Sequence, residues 1–167
     1  GVLVLALAGW QSARADWDTT NAAKWVQLPD QTSAGIDIKC DQSLGPRMLA
    51  DDFLCTNASV LSDFHIWCSW LGDKPGNITN LYIGIWSDQP VEPGIPFSHP
   101  SNELWSTELG MGQYNMRPYG TPVQPGEYWW DPAQGPIGLI PEADTQVWQI
   151  NVDIDPYVAF VQAGNEL

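Results

Sequence analysis

Hydrophobic and polar residues alternate with a period of two in several short segments of this 167-residue chain, and this alternation constrains the fold more than any other feature. In residues 147–154, every second residue from Trp148 to Ile154 is apolar, and the residues between them are polar. A strand with this pattern turns one face to a hydrophobic core and the other away from it. Residues 64–70 follow the same pattern, and residues 81–86 are apolar on both faces, as in a central strand.

Turn residues separate these segments. The chain contains 15 Gly and 14 Pro without a repeat period, which indicates many turns and few long helices, including a turn at residues 131–136. Strands are predicted at residues 24–28, 49–55, 64–70, 81–86, 102–108, 113–119, 126–130 and 147–154. About eight short strands between turns are typical of a β-sandwich. The sequence therefore predicts one all-β domain over residues 16–167, a single β-sandwich of jelly-roll type.

The charge balance of the chain is strongly acidic. It carries 20 Asp and Glu against 6 Lys and Arg, a formal net charge of -14 at pH 7. The basic residues are scattered singly, whereas nucleic-acid binding depends on clustered Lys and Arg. The composition argues against nucleic acid as a partner, and an acidic surface instead favours solubility and cations such as calcium.

The first fifteen residues have the features of a bacterial-type secretory signal peptide. Residues 2–8 form a short apolar run, and residues 13–15 (Ala-Arg-Ala) match a cleavage site. The run is much shorter than the ~20 residues that a membrane-spanning helix needs, so we expect no transmembrane segment and a secreted chain. The usual initial Met and basic region are missing, and the apolar residues 157–161 lead to no closing turn. We therefore expect truncation at both ends.

Tryptophan is the best functional hint in the composition, with ten residues in the chain. Aromatic rings on a sandwich surface can stack on the apolar faces of sugars, while neighbouring polar groups bind the hydroxyls. Alternation puts at least one ring of a pair on the face away from the core among Trp67, Trp86, Trp129 and Trp130, and residues 147–154 supply a row of polar side chains. The resulting candidates are Trp67, Trp86, Trp129, Gln149, Asn151 and Asp153. The alternative is structural, because Trp also fills the sides and ends of a sandwich.

Aspartate residues suggest a structural calcium site. Calcium needs six to eight oxygen ligands from several segments, and Asp51, Asp52 and Asp88 are the candidates for carboxylate ligands. No EF-hand spacing is present, so solubility at strand edges and hydrogen bonding in turns are the alternative roles. Zinc is disfavoured, because the two histidines, His65 and His99, are far apart and no Cys-x-x-Cys occurs. No other cofactor is predicted.

The chain lacks the motifs of common enzymes. It has neither a Gly-x-Ser-x-Gly nucleophile elbow nor a phosphate-binding glycine loop. A glycosidase needs two carboxyl groups facing each other across a cleft, which sequence spacing cannot establish. The carboxylates considered for that role are Glu103, Glu108, Glu127 and Glu142. We therefore predict that the chain is not an enzyme.

Two motifs point to a family. Residues 50–55 (Ala-Asp-Asp-Phe-Leu-Cys), followed by residues 65–70 (His-Ile-Trp-Cys-Ser-Trp), resemble a family of secreted planctomycete-type bacterial domains of unknown function. The resemblance extends over residues 24–167 and implies an extracellular β-sandwich module. It also implies a Cys40–Cys55 disulfide, with Cys68 standing where the family usually has Gly. A Cys55–Cys68 disulfide and three reduced cysteines are the alternatives.

Together these observations predict a non-enzymatic extracellular or cell-surface module with a structural or adhesive role. Its partners would be extracellular polysaccharides or other surface proteins. A carbohydrate-binding module that uses surface Trp residues is the alternative function, and a glycoside hydrolase is the third.

Overall fold

A computed structural model of the protein describes residues 20, 23–41, 48–54 and 57–163. Ten strands and one short 3₁₀ helix, Pro132–Gly138, make up its regular structure. The strands are β1 (Ile36–Ile38), β2 (Ser59–Leu61), β3 (Asp63–Cys68), β4 (Asn80–Gln89), β5 (His99–Gly110), β6 (Asn115–Pro118), β7 (Glu127–Trp130), β8 (Leu139–Asp144), β9 (Trp148–Asp153) and β10 (Phe160–Gln162).

The strands pair into four small sheets. β9 lies between β3 and β6, antiparallel to both, and β4 and β5 form a long antiparallel hairpin. β7 lies between β1, which is parallel to it, and β8, which is antiparallel. β10 pairs with β2. This arrangement confirms the predicted all-β, sandwich-like fold, while the jelly-roll connectivity stays a prediction.

The hydrophobic core lies between the β3–β9–β6 sheet and the β4–β5 hairpin. Ile150 and Val152 of β9 are almost completely buried, and Leu109 of β5 packs in the same cluster. Phe64 of β3 stacks on Trp105 of β5, with ring centroids 6.1 Å apart. Burying each such aliphatic or aromatic side chain stabilises the fold by about 1.5–3 kcal/mol. The alternation in residues 147–154 therefore identified the core face correctly.

Most of the predicted strands are confirmed, since β3, β4, β5, β6, β7 and β9 overlap predicted segments. The strands predicted at residues 24–28 and 49–55 are wrong for the residues described there, because those residues have no strand partner. β1, β2 and β10 are three residues long, too short to show alternation, and were missed. β8 was missed because it contains Pro141, which argues against a strand. The turn predicted at residues 131–136 is largely the 3₁₀ helix.

Neither of the two described cysteines forms a disulfide. Cys40 and Cys68 are both free thiols, and Cys55 lies outside the described residues. The pairing predicted for a Cys55–Cys68 bond, between residues 49–55 and β3, is not seen among the described residues, because residues 49–54 form no strand and β3 pairs with β9. Cys68 packs against the core, and this burial raises its pKa to about 12, with further contributions from Asp37 and Cys40.

Two further predictions concern the signal peptide and membrane-spanning helices. The predicted signal peptide, residues 1–15, lies outside the described residues. Within the part of the chain that the structure describes, no helix has the length and apolar character needed to span a bilayer.

Candidate functional site

A pocket of about 290 Å³ lies near the end of the β4–β5 hairpin where residues 90–98 connect the two strands, against β10 and residues 49–53. We call it the Trp86 pocket. Two register shifts near the end of β4 bend the hairpin there and bring residues 84–88 and 98–100 to its rim. Its apolar lining comes mainly from Phe53, Trp86, Leu104 and Phe160. The pocket therefore combines an aromatic surface with polar side chains from the end of β4 and the start of β5.

The Trp86 indole lies flat along the outer face of the β4–β5 hairpin. Gly84, two residues earlier on the same face, leaves the space for it, since a Cβ on Gly84 would lie 2.7 Å from Trp86 Cζ3 and overlap the ring. Tyr82 continues the aromatic surface, with its ring centroid 6.0 Å from that of Trp86. The Tyr82 hydroxyl donates a hydrogen bond to Glu103, which faces Trp86 on β5, at 2.8 Å. Aromatic and carboxylate surface thus meet beside the pocket.

Polar side chains converge on the same pocket. The three aspartates predicted as calcium ligands, Asp51, Asp52 and Asp88, all line it. So do His99 and Gln162, whose buried Nδ1 and Oε1 atoms make no hydrogen bond within the described structure. Buried polar atoms normally have a partner, so these two atoms are unsatisfied groups beneath the wall of the pocket. The three aspartates thus line one pocket, but they are not among the described carboxylates whose oxygens lie within 4.8 Å of one another, and calcium binding by them stays a prediction.

Other predicted ligand-binding residues lie elsewhere. Gln149 and Asn151 are buried, not surface residues, and they hydrogen-bond to each other at 2.7 Å and to His65. The predicted polar row is therefore mostly an internal network, with Asp153 exposed at its end. The idea that this row binds a surface ligand is wrong for its two buried members, because neither is accessible.

Two of the predicted tryptophans also lie outside the pocket. The Trp67 ring packs edge-on against Tyr119, with centroids 5.6 Å apart. Trp129 lies in β7 with the Lys39 ammonium 5.8 Å from its ring centre. Of the three predicted rings, the structure places only Trp86 in a concave site.

The carboxylates considered for catalysis do not form one group. Glu103 and Glu108 lie on β5, and hydrogen bonds from Ser106 and Tyr82 lower the pKa of Glu103. A carboxyl group that is held ionised in this way is poorly suited to donate a proton. Glu127 belongs to a different sheet, and Glu142 is an exposed β8 residue with a φ of 50°.

A second cluster was missed by sequence reasoning. Asp37 of β1, Glu127 of β7 and Asp144 of β8 each offer a carboxylate oxygen, and these three oxygens lie within 4.8 Å of one another. Glu127 and Asp144 are 2 % and 1 % exposed. The β1–β7–β8 pairing brings them together from distant parts of the chain, so no motif spacing could have indicated them.

Burial and like charge disfavour ionisation in this carboxylate cluster. Desolvation, followed by the negative charges of Asp37 and Asp30, raises the pKa of Glu127 to about 7. Desolvation and the neighbouring Asp37 also raise the pKa of Asp144. The described part of the fold therefore supplies no positive charge that would favour ionisation of these carboxyl groups.

A wider depression lies over the turn at residues 91–96. Glu92 is its one ionisable side chain, and no aromatic ring lines it. It offers a ligand fewer convergent groups than the Trp86 pocket does.

Comparison with known proteins gives a family and no more specific relative. Neither a curated protein nor a solved structure matches the chain. A family model described as a domain of unknown function, DUF7901, matches residues 23–167, which confirms that the chain is a member of an uncharacterised domain family. Because the match covers most of the sequence, the chain belongs to the DUF7901 family.

Proposed function

We propose that the chain is a non-enzymatic extracellular binding module whose ligand is a sugar unit of a polysaccharide, held in the Trp86 pocket. The observation that carries the proposal is the convergence of the Trp86 ring with Asp51, Asp52 and Asp88 in one concave site. An adhesive role at a cell surface would follow from such binding. The extracellular location rests on the sequence of residues 1–15, and the planctomycete-type bacterial origin is likewise an expectation.

The chemistry of the pocket suits a carbohydrate. A pyranose ring has an apolar face of C–H groups that packs on an aromatic ring, and hydroxyls around its edge that need hydrogen-bond partners. Trp86 and Phe160 supply the apolar surface, while carboxylates accept hydrogen bonds from hydroxyls more strongly than neutral acceptors do. His99 and Gln162 add polar side chains to the same lining. These groups match a ligand that is apolar on its face and polar at its edge.

The charge of the pocket limits the sugar. Three aspartates line it, and the whole chain has a formal charge of -14. Uronic acids and sulfated sugars would be repelled. We therefore expect a neutral sugar, or an amino sugar whose ammonium group pairs with a carboxylate.

Retention on insoluble and immobilised polysaccharides tests this function. Wild-type protein should be retained on at least one neutral or amino-sugar polymer, and Trp86→Ala should weaken the binding about tenfold or more because the stacking surface is lost. Trp129→Ala is the matched control, since it removes a tryptophan outside the pocket. Equal retention of wild type and Trp86→Ala, or retention of neither on any polymer, would refute the proposal.

A glycoside hydrolase is the second candidate, because three carboxyl groups line one pocket. Hydrolysis by two carboxyl groups would release reducing ends from a bound polymer. The binding proposal predicts no release of reducing sugar during prolonged incubation with the retained polymer. Release that is abolished by Asp88→Asn, with binding kept, would instead establish the hydrolase.

A further inference from the structure

We propose that Asp37, Glu127 and Asp144 together bind one calcium ion, which joins β1 to the β7–β8 pair. This site is separate from the Trp86 pocket, and its existence does not depend on the proposed sugar-binding function. These three residues are the carboxylate cluster described above.

The geometry of the carboxylate cluster fits a single ion. Calcium binds oxygen at 2.3–2.6 Å, so two ligands of the same ion lie up to about 5 Å apart. The three carboxylate oxygens satisfy this limit, because all lie within 4.8 Å of one another. Each comes from a different strand of one sheet, so the backbone holds the ligands in place.

Besides these distances, the shortage of hydrogen-bond donors around the buried oxygens supports an ion at this place. Asp144 is 1 % exposed, and within the described structure the Ser69 hydroxyl and the Asp37 carboxyl group are the only hydrogen-bonding neighbours of its two carboxylate oxygens. Oδ2 of Asp37 and Oγ of Ser69 are themselves buried, and no further donor reaches them. Buried carboxylate oxygens with so few donors call for a cation that coordinates them.

No Lys or Arg side chain in the described structure pairs with the carboxylate cluster. The nearby Lys39 is paired with Asp131, at 3.3 Å, rather than with the carboxylate cluster. Buried carboxylates without a counter-ion are strongly destabilising. A divalent cation would remove most of the repulsion and the desolvation cost together.

Additional oxygen ligands are within reach. A Cβ on Gly35 would lie 2.8 Å from Glu127 Oε1 and overlap the Asp30 carbonyl oxygen, so both oxygens border the same space. With bidentate carboxylates, this carbonyl and the Ser69 hydroxyl, the oxygen count approaches the six to eight that calcium takes. The donors are all oxygen, which excludes a preference for zinc or copper. Magnesium demands stricter octahedral geometry and keeps several of its waters, so a site this buried favours calcium.

Thermal unfolding of the whole chain with and without calcium tests the site. After removal of metal with a chelator, added Ca²⁺ at about 100 times its Kd should raise the Tm of wild type by roughly 5–10 °C. Asp144→Asn and Glu127→Gln should lose this shift, and calorimetric titration should show affinity for Ca²⁺ reduced about tenfold or more. In chelator, Asp144→Asn should be at least as stable as wild type, since it removes a buried like charge. If the Asp144 carboxylate were purely structural, Asp144→Asn would instead be less stable than wild type both in chelator and in Ca²⁺.

Asp88→Asn is the matched control, because it removes the same charge from the Trp86 pocket. It should keep the full response to Ca²⁺. Loss of the response in Asp88→Asn but not in Asp144→Asn would overturn the proposal and place the calcium in the pocket. No Tm shift and no binding heat with millimolar Ca²⁺, or equal stabilisation by Mg²⁺, would also overturn it. If Asp144→Asn does not fold, the half-buried Asp37→Asn provides the same comparison.

Discussion

Gly84 and Trp86 occupy the same face of β4, and the small residue determines where the large one lies. Without a side chain at position 84, the indole can rest on the strand backbone and extend the surface formed by Tyr82. Any larger residue would meet the ring itself, whose rigid carbon atoms cannot move aside without tilting the whole indole. The sugar-binding proposal therefore depends on a glycine that itself contacts no ligand.

Substitution of Gly84 by Ala tests this dependence. The added methyl group should displace the Trp86 ring and weaken polysaccharide binding about tenfold, with little loss of fold. Gly110→Ala is the control on the same hairpin, since a Cβ there meets only Gln113 Oε1, at 3.5 Å. Near-UV circular dichroism would report the changed Trp86 environment. Unchanged affinity in Gly84→Ala, despite a displaced ring, would show that Trp86 does not contact the ligand.

The two described cysteines differ in environment, and their reactivity should differ accordingly. Cys68 is packed against the core with its pKa raised to about 12, whereas Cys40 is an exposed residue whose thiol is partly desolvated. Because the thiolate is the reactive form, a thiol reagent at pH 8 should modify Cys40 in the folded, reduced protein and Cys68 only after unfolding.

Titration of thiols in Cys40→Ser and Cys68→Ser measures this difference. The number of thiols that react in the folded protein should fall by one in Cys40→Ser and stay unchanged in Cys68→Ser. Rapid native modification of Cys68 would contradict its burial. The same titration without prior reduction tests the predicted Cys40–Cys55 disulfide, because a formed bond would remove Cys40 from the native count.

At the scale of elements, the turn after β3 is tied to the connection between β8 and β9 by a single carboxylate. Asp73 accepts hydrogen bonds from the backbone N–H groups of Thr145 and Gln146, both at 2.9 Å, and from the Thr145 hydroxyl at 2.8 Å. The neighbouring Gly72 N–H donates to the Ala143 carbonyl. Asp73 has a φ of 54°, a conformation that Asp and Asn tolerate better than most residues. The turn thus holds β8, and with it Asp144, against the end of β3.

Removal of this carboxylate should destabilise the fold by about 1 kcal/mol, the net value of a few hydrogen bonds at a partly exposed site. Urea unfolding of Asp73→Ala should show this loss near neutral pH, and Asp73→Asn a smaller one. Lys74→Ala is the control, and it should unfold like wild type. Equal midpoints for Asp73→Ala and Lys74→Ala would contradict the role of the turn.

The contribution of Asp73 should also depend on pH. Desolvation opposes its ionisation, but the hydrogen bonds from Thr145 and Gln146 outweigh that effect and lower its pKa below the ordinary value. A lowered folded-state pKa gives stability that is present above the unfolded pKa and is lost as the pH falls through the folded one. The difference between wild type and Asp73→Ala should therefore shrink in acid. A difference that grows as the pH falls below 4 would contradict this account.

At the scale of the whole molecule, the sequence predicted what depends on local pattern and missed what depends on pairing. Alternation identified β9 and its buried Ile150 because a strand of six residues shows the period of two. The same alternation did not predict that Gln149, on the opposite face of β9, would also be buried. Whether that face is covered depends on how other parts of the chain pack against it. The carboxylate cluster was missed because β1 is short and parallel to β7, and nothing local indicates that pairing. Asp51, Asp52 and Asp88 line one pocket, whereas their predicted role as calcium ligands stays a prediction.

The indole N–H resonances of the ten tryptophans show most directly whether the Trp86 pocket binds a sugar. An NMR titration would add an oligosaccharide cut from the polymer that retains the protein. The Trp86 signal, assigned from Trp86→Phe, should move on addition of the sugar, while those of Trp129 and Trp148 stay in place. Movement of the Trp129 or Trp67 signal with an unchanged Trp86 signal would contradict the account and place the ligand on another face.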